Sequence, residues 1–170
     1  MVSALPLRVA VLGSGTGTNA RALIEHGLKP GASYRVVLVV STRPDAGITD
    51  VARHFGVPMC ILPPSDWERT LIGALHDNGI GILALAGFMR KISPQVIDFL
   101  HGRVINIHPA LLPNHGGKGM YGIHVHRAVI AAAEAVSGAT VHLVTEEYDE
   151  GSIISQATVE VFPDDTPEQL

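Results

Sequence analysis

Asn106 and His108 are spaced for joint polar chemistry. They lie in the string VINIHPALLP, residues 104–113, whose Val and Ile content marks an extended segment, and residues two apart in such a segment project to one face. An asparagine can donate to a developing oxyanion and a histidine can carry or relay a proton near neutral pH, so the pair could act on one atom. Pro109 and Pro113 stiffen the exit and stop the strand from continuing. Taken by itself, a histidine at a strand end more often satisfies structural hydrogen bonds than it catalyses a reaction.

Three other strings carry polar chemistry. Residues 13–19, GSGTGTN, come straight out of an apolar run and open a helix. Glycines there permit close approach of a ligand, and hydroxyls with the free amides of a helix start suit a phosphate; the plain alternative is that the glycines only let helix and strand pack. As a dinucleotide fingerprint the string is incomplete, because Thr18 stands where a third glycine is needed and Ser41, Thr42 and Arg43 offer no acidic residue after the second apolar run. The Walker lysine is also missing. Residues 145–151, TEEYDEG, place Glu146, Glu147, Asp149 and Glu150 within five positions, the pattern of a solvated acidic turn. Residues 85–92, LAGFMRKI, read as a glycine turn with a basic start to the next loop. His124 and His126 do not suggest a metal: at a helix start, residues two apart diverge by about 200°, so one ion does not reach both.

The elements that must position these strings follow from apolar spacing. Near-continuous Val, Ile and Leu runs at 8–13, 34–41, 57–62, 80–86, 104–107 and 139–145 are what strands buried on both faces require. Helical spacing fills 19–26, 45–55, 66–76, 94–100 and 126–135. The alternation predicts an α/β fold, a doubly wound, mostly parallel sheet with helices on both faces, in which ligands collect beyond the carboxyl ends of strands. Residues 152–162 read as one more strand. Thr166, Pro167 and Gln169 then look like a helix opening, with Thr166 as N-cap and Gln169 completing a capping box, so the expectation is a single domain over residues 1–170 that is incomplete at its C-terminal helix. Residues 114–122, NHGGKGMYG, are the least structured and are expected to be mobile without ligand and to close when substrates are present, with Lys118 either approaching the phosphate or, more simply, a mobile lysine.

Composition narrows the function. With 170 residues, 46% hydrophobic and 16% charged, the chain suits one domain with a sizeable core. A formal charge of −4 argues against nucleic acid as a partner, since such binding calls for a basic face, while a backbone amide loop can still hold one small phosphate. The only cysteine, Cys60, reads as a core thiol and excludes an intramolecular disulfide. No apolar run reaches the roughly 18 residues needed to span a bilayer, so no membrane partner and a cytoplasmic location are expected.

The string NIHPALLP closely resembles the signature of the folate-dependent formyltransferases, and the order of the other strings follows that family from residue 9 to residue 169. SGTGTN at the first strand end resembles the phosphate loop of the glycinamide ribonucleotide (GAR) transformylase branch, LAGFMR its folate segment, and SGATVH with DEGSII its GxTxH and D-x-G-x-I segments. The resemblance implies that Asn106, His108 and Asp149 are catalytic, with Asp149 the partner of His108. It implies that Gly17, Thr18, Asn19, Ala20 and Arg21 bind the substrate phosphate, and that Met89, Arg90, Lys91, Ile92 and Asn106 contact the folate, Met89 and Ile92 covering its face. His142 could bear on this site or pack within its strand, and packing is the simpler reading.

The implied reaction moves the formyl group of 10-formyltetrahydrofolate, a co-substrate, to the amine of glycinamide ribonucleotide in purine (IMP) biosynthesis, by direct attack through a tetrahedral intermediate and without a metal. Monomer and homodimer are both open. The chain departs from the family at residues 114–122, which are longer and richer in glycine, and at residues 63–66, PPSD, which lack the arginine some relatives place near the folate tail. A tRNA formyltransferase would call for a further domain and a basic surface. The remaining alternatives are a formyltetrahydrofolate deformylase, with water as acceptor, and a non-catalytic nucleotide-binding module.

Overall fold

Short apolar strands alternate with amphipathic helices, and the sheet they form is the scaffold for each polar string. A computed structural model describes residues 5–170. Its contacts divide the chain into two compact units, Met1–Val104 and Ile105–Leu170.

The first unit contains β1 (Leu7–Leu12), α1 (Thr18–Gly27), β2 (Tyr34–Ser41), α2 (Gly47–Phe55), β3 (Met59–Ile61), α3 (Trp67–Asp77), β4 (Ile82–Leu85) and α4 (Pro94–Phe99). β1 pairs in parallel with β2 and with β4, and β2 in parallel with β3. Val11, Leu12, Val39, Val40 and Leu83 are almost wholly buried, as strands covered on both faces require. The helices begin and end where chain chemistry dictates: Pro94 opens α4, and Gly56, with φ 65°, closes α2 by donating its N–H to the carbonyls of Ala52 and Arg53. β3 is shorter than the apolar run 57–62 predicts because it meets only β2, over three residue pairs. Cys60 lies in this strand and is only half-buried, so the core reading was too strong; burial nevertheless pushes its thiol pKa up.

β5 (Val104–His108) opens at the boundary and leads into the second unit, which continues with α5 (Ile123–Ala131), β6 (Val136–Leu143) and β7 (Ile153–Glu160). Here the pairing is antiparallel, β5 with β6 and β6 with β7. β6 starts three residues ahead of the expected run because Val136 and Ser137 pair with Glu160 and Val159. α5 stops at Ala131 and not at 135, since Ala133 turns into the left-handed region, φ 50°. The turn at Thr166 forms the expected capping contact, the Thr166 N–H donating to Gln169 Oε1 at 2.8 Å.

The strand order is β3-β2-β1-β4-β5-β6-β7, an α/β fold with a mostly parallel sheet. The chain runs outward from β1 to β3 and then returns to β4 on the other side of β1. That reversal is the topological switch point at which open α/β sheets bind ligands. Among the described residues, no helix is long and apolar enough to cross a membrane.

Candidate active site

In the second unit, β5 and β6 bring four polar side chains together. Asn106 lies directly across from His142 and His108 across from Thr140, and same-face alternation points each pair to one side of the ladder. Asn106 Nδ2 is 3.2 Å from His142 Nε2. The β6–β7 connection supplies Asp149, with Oδ2 3.5 Å from His108 Nδ1 and Oδ1 3.5 Å from His142 Nε2. One carboxylate therefore faces two imidazoles. The side chains of His108, His142 and Asp149 are 2%, 3% and 12% exposed, so water screens them weakly.

Of the four clustered carboxylates, Glu146, Glu147 and Glu150 are exposed and only Asp149 turns inward. Asp149 adopts φ 59°, a conformation that Asp tolerates better than most residues. Gly151 completes the turn, because a Cβ there would collide with the Leu143 carbonyl. Burial alone would raise the Asp149 pKa. The polar approach of His142, the Gly117 N–H, donating to Oδ2 at 3.0 Å, and the charges of His108 and His142 outweigh it and hold the carboxyl below its ordinary range.

Each imidazole is anchored by a main-chain carbonyl. His108 Nε2 is 2.8 Å from the His115 oxygen, and His142 Nδ1 is 2.8 Å from the Leu143 oxygen. A carbonyl only accepts, so these nitrogens carry protons. His142 Nε2 then accepts from Asn106 as a neutral ring or donates to Asp149 as a charged one. His108 Nδ1 is left without a short acceptor, since 3.5 Å exceeds a normal N–H···O distance. Residues 110–112, which follow β5, are fixed by Thr140: its hydroxyl donates to the Ala110 carbonyl at 2.6 Å and accepts the Leu112 N–H at 3.0 Å. Gln156 also donates to the Leu112 carbonyl at 3.0 Å.

His142 is buried, as packing within its strand requires, and its ring also faces Asn106 and Asp149, the other reading open to it. Thr140-x-His142 has the same two-residue alternation as Asn106-x-His108, and antiparallel pairing sets the two in register.

In the first unit, the loops after β1 and β4 flank the switch point and bond to one another. The Ser14 N–H and hydroxyl both donate to the Gly87 carbonyl, at 3.2 and 3.1 Å, and a Cβ on Gly13 would strike the Ala86 carbonyl. Gly17, φ 84°, precedes α1, whose start has no side-chain cap, so the amides of Thr18, Asn19 and Ala20 end the helix unsatisfied by it. Thr18, Asn19 and Arg21 are exposed, while Ala20 is buried and offers its main chain. The glycines divide by role: a Cβ on Gly17 would come within 2.6 Å of Ile48 Cα, whereas Gly15 has open space. Packing alone therefore requires glycine at position 17. Arg21 is 3.7 Å from Glu25 and lies over the Phe55 ring.

The segment after β4 exposes Met89, Arg90 and Lys91. Ile92 is only 3% exposed, so its side chain belongs to the core and does not cover a ligand face; its main chain is what it can present. Arg90 sits 5.7 Å over the Trp67 ring, which packs against Phe88. His124 packs edge-on against Tyr121, and burial lowers the His126 pKa. Among the described residues, no group of three potential ligands is placed to hold a metal ion.

The arrangement supports acyl-transfer chemistry: an amide, an imidazole and a buried carboxylate in one unit, and a switch-point loop with free helix amides in the other. Known proteins agree. A family model described as formyl transferase matches residues 7–170. The chain is 40% identical to a chloroplastic phosphoribosylglycinamide formyltransferase of Arabidopsis thaliana over 96% of its own length, and spans 58% of that relative. It is 31% identical to the phosphoribosylglycinamide formyltransferase of Haemophilus influenzae, covering 96% of this chain and 77% of the relative. The crystal structure of glycinamide ribonucleotide transformylase 1 from Symbiobacterium toebii superposes with a TM-score of 0.90 at 34% identity, covering 98% of this chain and 79% of that one. The chain belongs to the formyl transferase family.

Proposed function

We propose that the chain transfers the formyl group of 10-formyltetrahydrofolate to the amine of glycinamide ribonucleotide, a step of purine biosynthesis. The observation that carries this reading is the convergence of Asn106, His108 and Asp149, with Asp149 Oδ2 3.5 Å from His108 Nδ1. The relatives named for the same reaction support it.

The substrate amine attacks the formyl carbon and a tetrahedral intermediate forms. The bond to the folate nitrogen then breaks; that nitrogen gains a proton and the amine loses one. No enzyme nucleophile is required, and the residues act by holding charge. The Asn106 amide and the His108 Nδ1–H donate to the developing oxyanion, and the Asp149 carboxylate stabilises positive charge on His108 while it does so. The first unit supplies binding: the amides of Thr18, Asn19 and Ala20 take the phosphate with help from Arg21, and the exposed 89–91 segment with the Ile92 main chain takes the folate. A cytoplasmic, reducing setting suits this chemistry.

Incubation of the chain with 10-formyltetrahydrofolate and GAR tests the reading. Formyl-GAR is expected only when both are present. Formate released without GAR would indicate a deformylase, and binding without turnover a non-catalytic module.

A further inference from the structure

We propose that His115 and Glu134 form a positioning pair that sets the orientation of the His108 imidazole. The inference rests on the formyl-transfer reading above and assigns a further role within that site.

Among the described residues, the His108 ring has one hydrogen bond of normal length, from Nε2 to the His115 carbonyl at 2.8 Å. The residue that offers this carbonyl is in the left-handed region, φ 55°, an uncommon conformation for a non-glycine residue that His adopts more readily than most. The His115 side chain supplies a hold: its Nε2 is 3.1 Å from Glu134 Oε1, the two side chains being 16% and 39% exposed. Glu134 lies just beyond α5 and is tied back to it, its N–H donating to the Val129 carbonyl at 3.3 Å. Two residues along, the Gly117 N–H donates to Asp149 Oδ2 at 3.0 Å. The main chain of 115–117 thus touches both His108 and Asp149, and Glu134 tethers it from the side.

The consequence falls on the working atom of His108. With Nε2–H committed to a carbonyl, Nδ1 is the nitrogen turned towards Asp149, and it is the one left free to donate to the formyl oxygen. Cutting the tether removes the side-chain hold on residue 115, lets its carbonyl shift away and frees the ring to rotate. Turnover then falls. Affinity for GAR and folate, assigned to loops of the other unit, is unchanged.

Glu134→Ala, Glu134→Gln and His115→Phe in the full chain test this by steady-state kinetics and by long-range proton–nitrogen NMR of the imidazoles. Glu134→Ala and His115→Phe are expected to lower kcat about tenfold with KM within about twofold. Glu134→Gln, whose amide oxygen still accepts from His115, should stay within about threefold of the parent. The slowly exchanging His108 Nε2–H signal should survive in Glu134→Gln and be lost in Glu134→Ala. Parental kcat in Glu134→Ala with that signal intact would overturn the pairing, and so would equal losses in Ala and Gln variants that both keep the signal. If the parent chain performed no formyl transfer, the proposed function would fall, and the fate of the His108 signal alone would still decide the tether.

Discussion

Replacing Asp149 by Asn removes one charge while keeping the side-chain volume and an oxygen that can accept the Gly117 N–H. The carboxylate lies 3.5 Å from His108 Nδ1. Two unit charges at that distance interact by about 5 kcal/mol at an effective dielectric near 20. Charge spread over the ring and the residual dipole of Asn reduce the loss to about 3 kcal/mol, which slows the reaction on the order of a hundredfold. The loss belongs in kcat, because charge on His108 matters most as the oxyanion forms. Rapid-quench measurement of formyl transfer, beside calorimetric titration with GAR, separates the two: a hundredfold slower step with near-parental GAR affinity is expected. A rate within about threefold of the parent in a folded variant would refute the role given to Asp149, and a role for Glu146, Glu147 or Glu150 would conflict with their exposure. Stability supplies an independent check. The Asp149 pKa is lowered in the folded chain, so its contribution is present above the unfolded value of about 4 and lost as pH falls through the folded one. The gap in denaturant midpoint between parent and Asp149→Asn should close below about pH 4.

Gly17→Val should destabilise the chain by about 2 kcal/mol or more, since both its φ of 84° and the approach of Ile48 oppose a side chain; thermal unfolding reads this, and Gly15→Val, with open space around it, should unfold with the parent. Titration with GAR is expected to move the amide resonances of Thr18, Asn19 and Ala20, and unmoved resonances would remove the loop from the binding site. In hydrogen exchange the Gly117 amide, bonded to Asp149, should be slow and become fast in Asp149→Ala, whereas uniform rapid exchange across 114–122 in the parent would contradict the anchored geometry. Gly151→Ala should fail to give soluble protein, because its Cβ meets the Leu143 carbonyl.

Much of the polar cluster was legible because it depends on local rules. The alternation in VINIHP put Asn106 and His108 on one face, and family resemblance singled out Asp149 from four carboxylates that charge patterning alone could not separate. The inward turn of Asp149 rests on His142, seven residues back and aimed by the strand pairing, and on Gly117, which is distant in sequence and lies outside any short window of residues. His142 packs within its strand, and its place against Asn106 depends on the antiparallel register of β5 with β6, which a mostly parallel pattern of apolar runs does not reveal. The segment 114–122 looked uniformly loose from its glycines, yet His115 and Gly117 are bonded to the cluster through main-chain atoms, and main-chain contacts leave little trace in residue types. Ile92 shows the converse: an apolar residue inside the string that the resemblance assigns to folate contact is core.

The central claim, that this chain moves a formyl group between two small molecules through Asn106, His108 and Asp149, is tested most directly by following a carbon-13 formyl label from 10-formyltetrahydrofolate in single turnover. The account predicts that the label appears on the GAR amine in step with loss of the formylated folate, and that transfer collapses in Asn106→Ala and in His108→Ala. Label recovered as formate, or transfer persisting in His108→Ala at the parental rate, would contradict it.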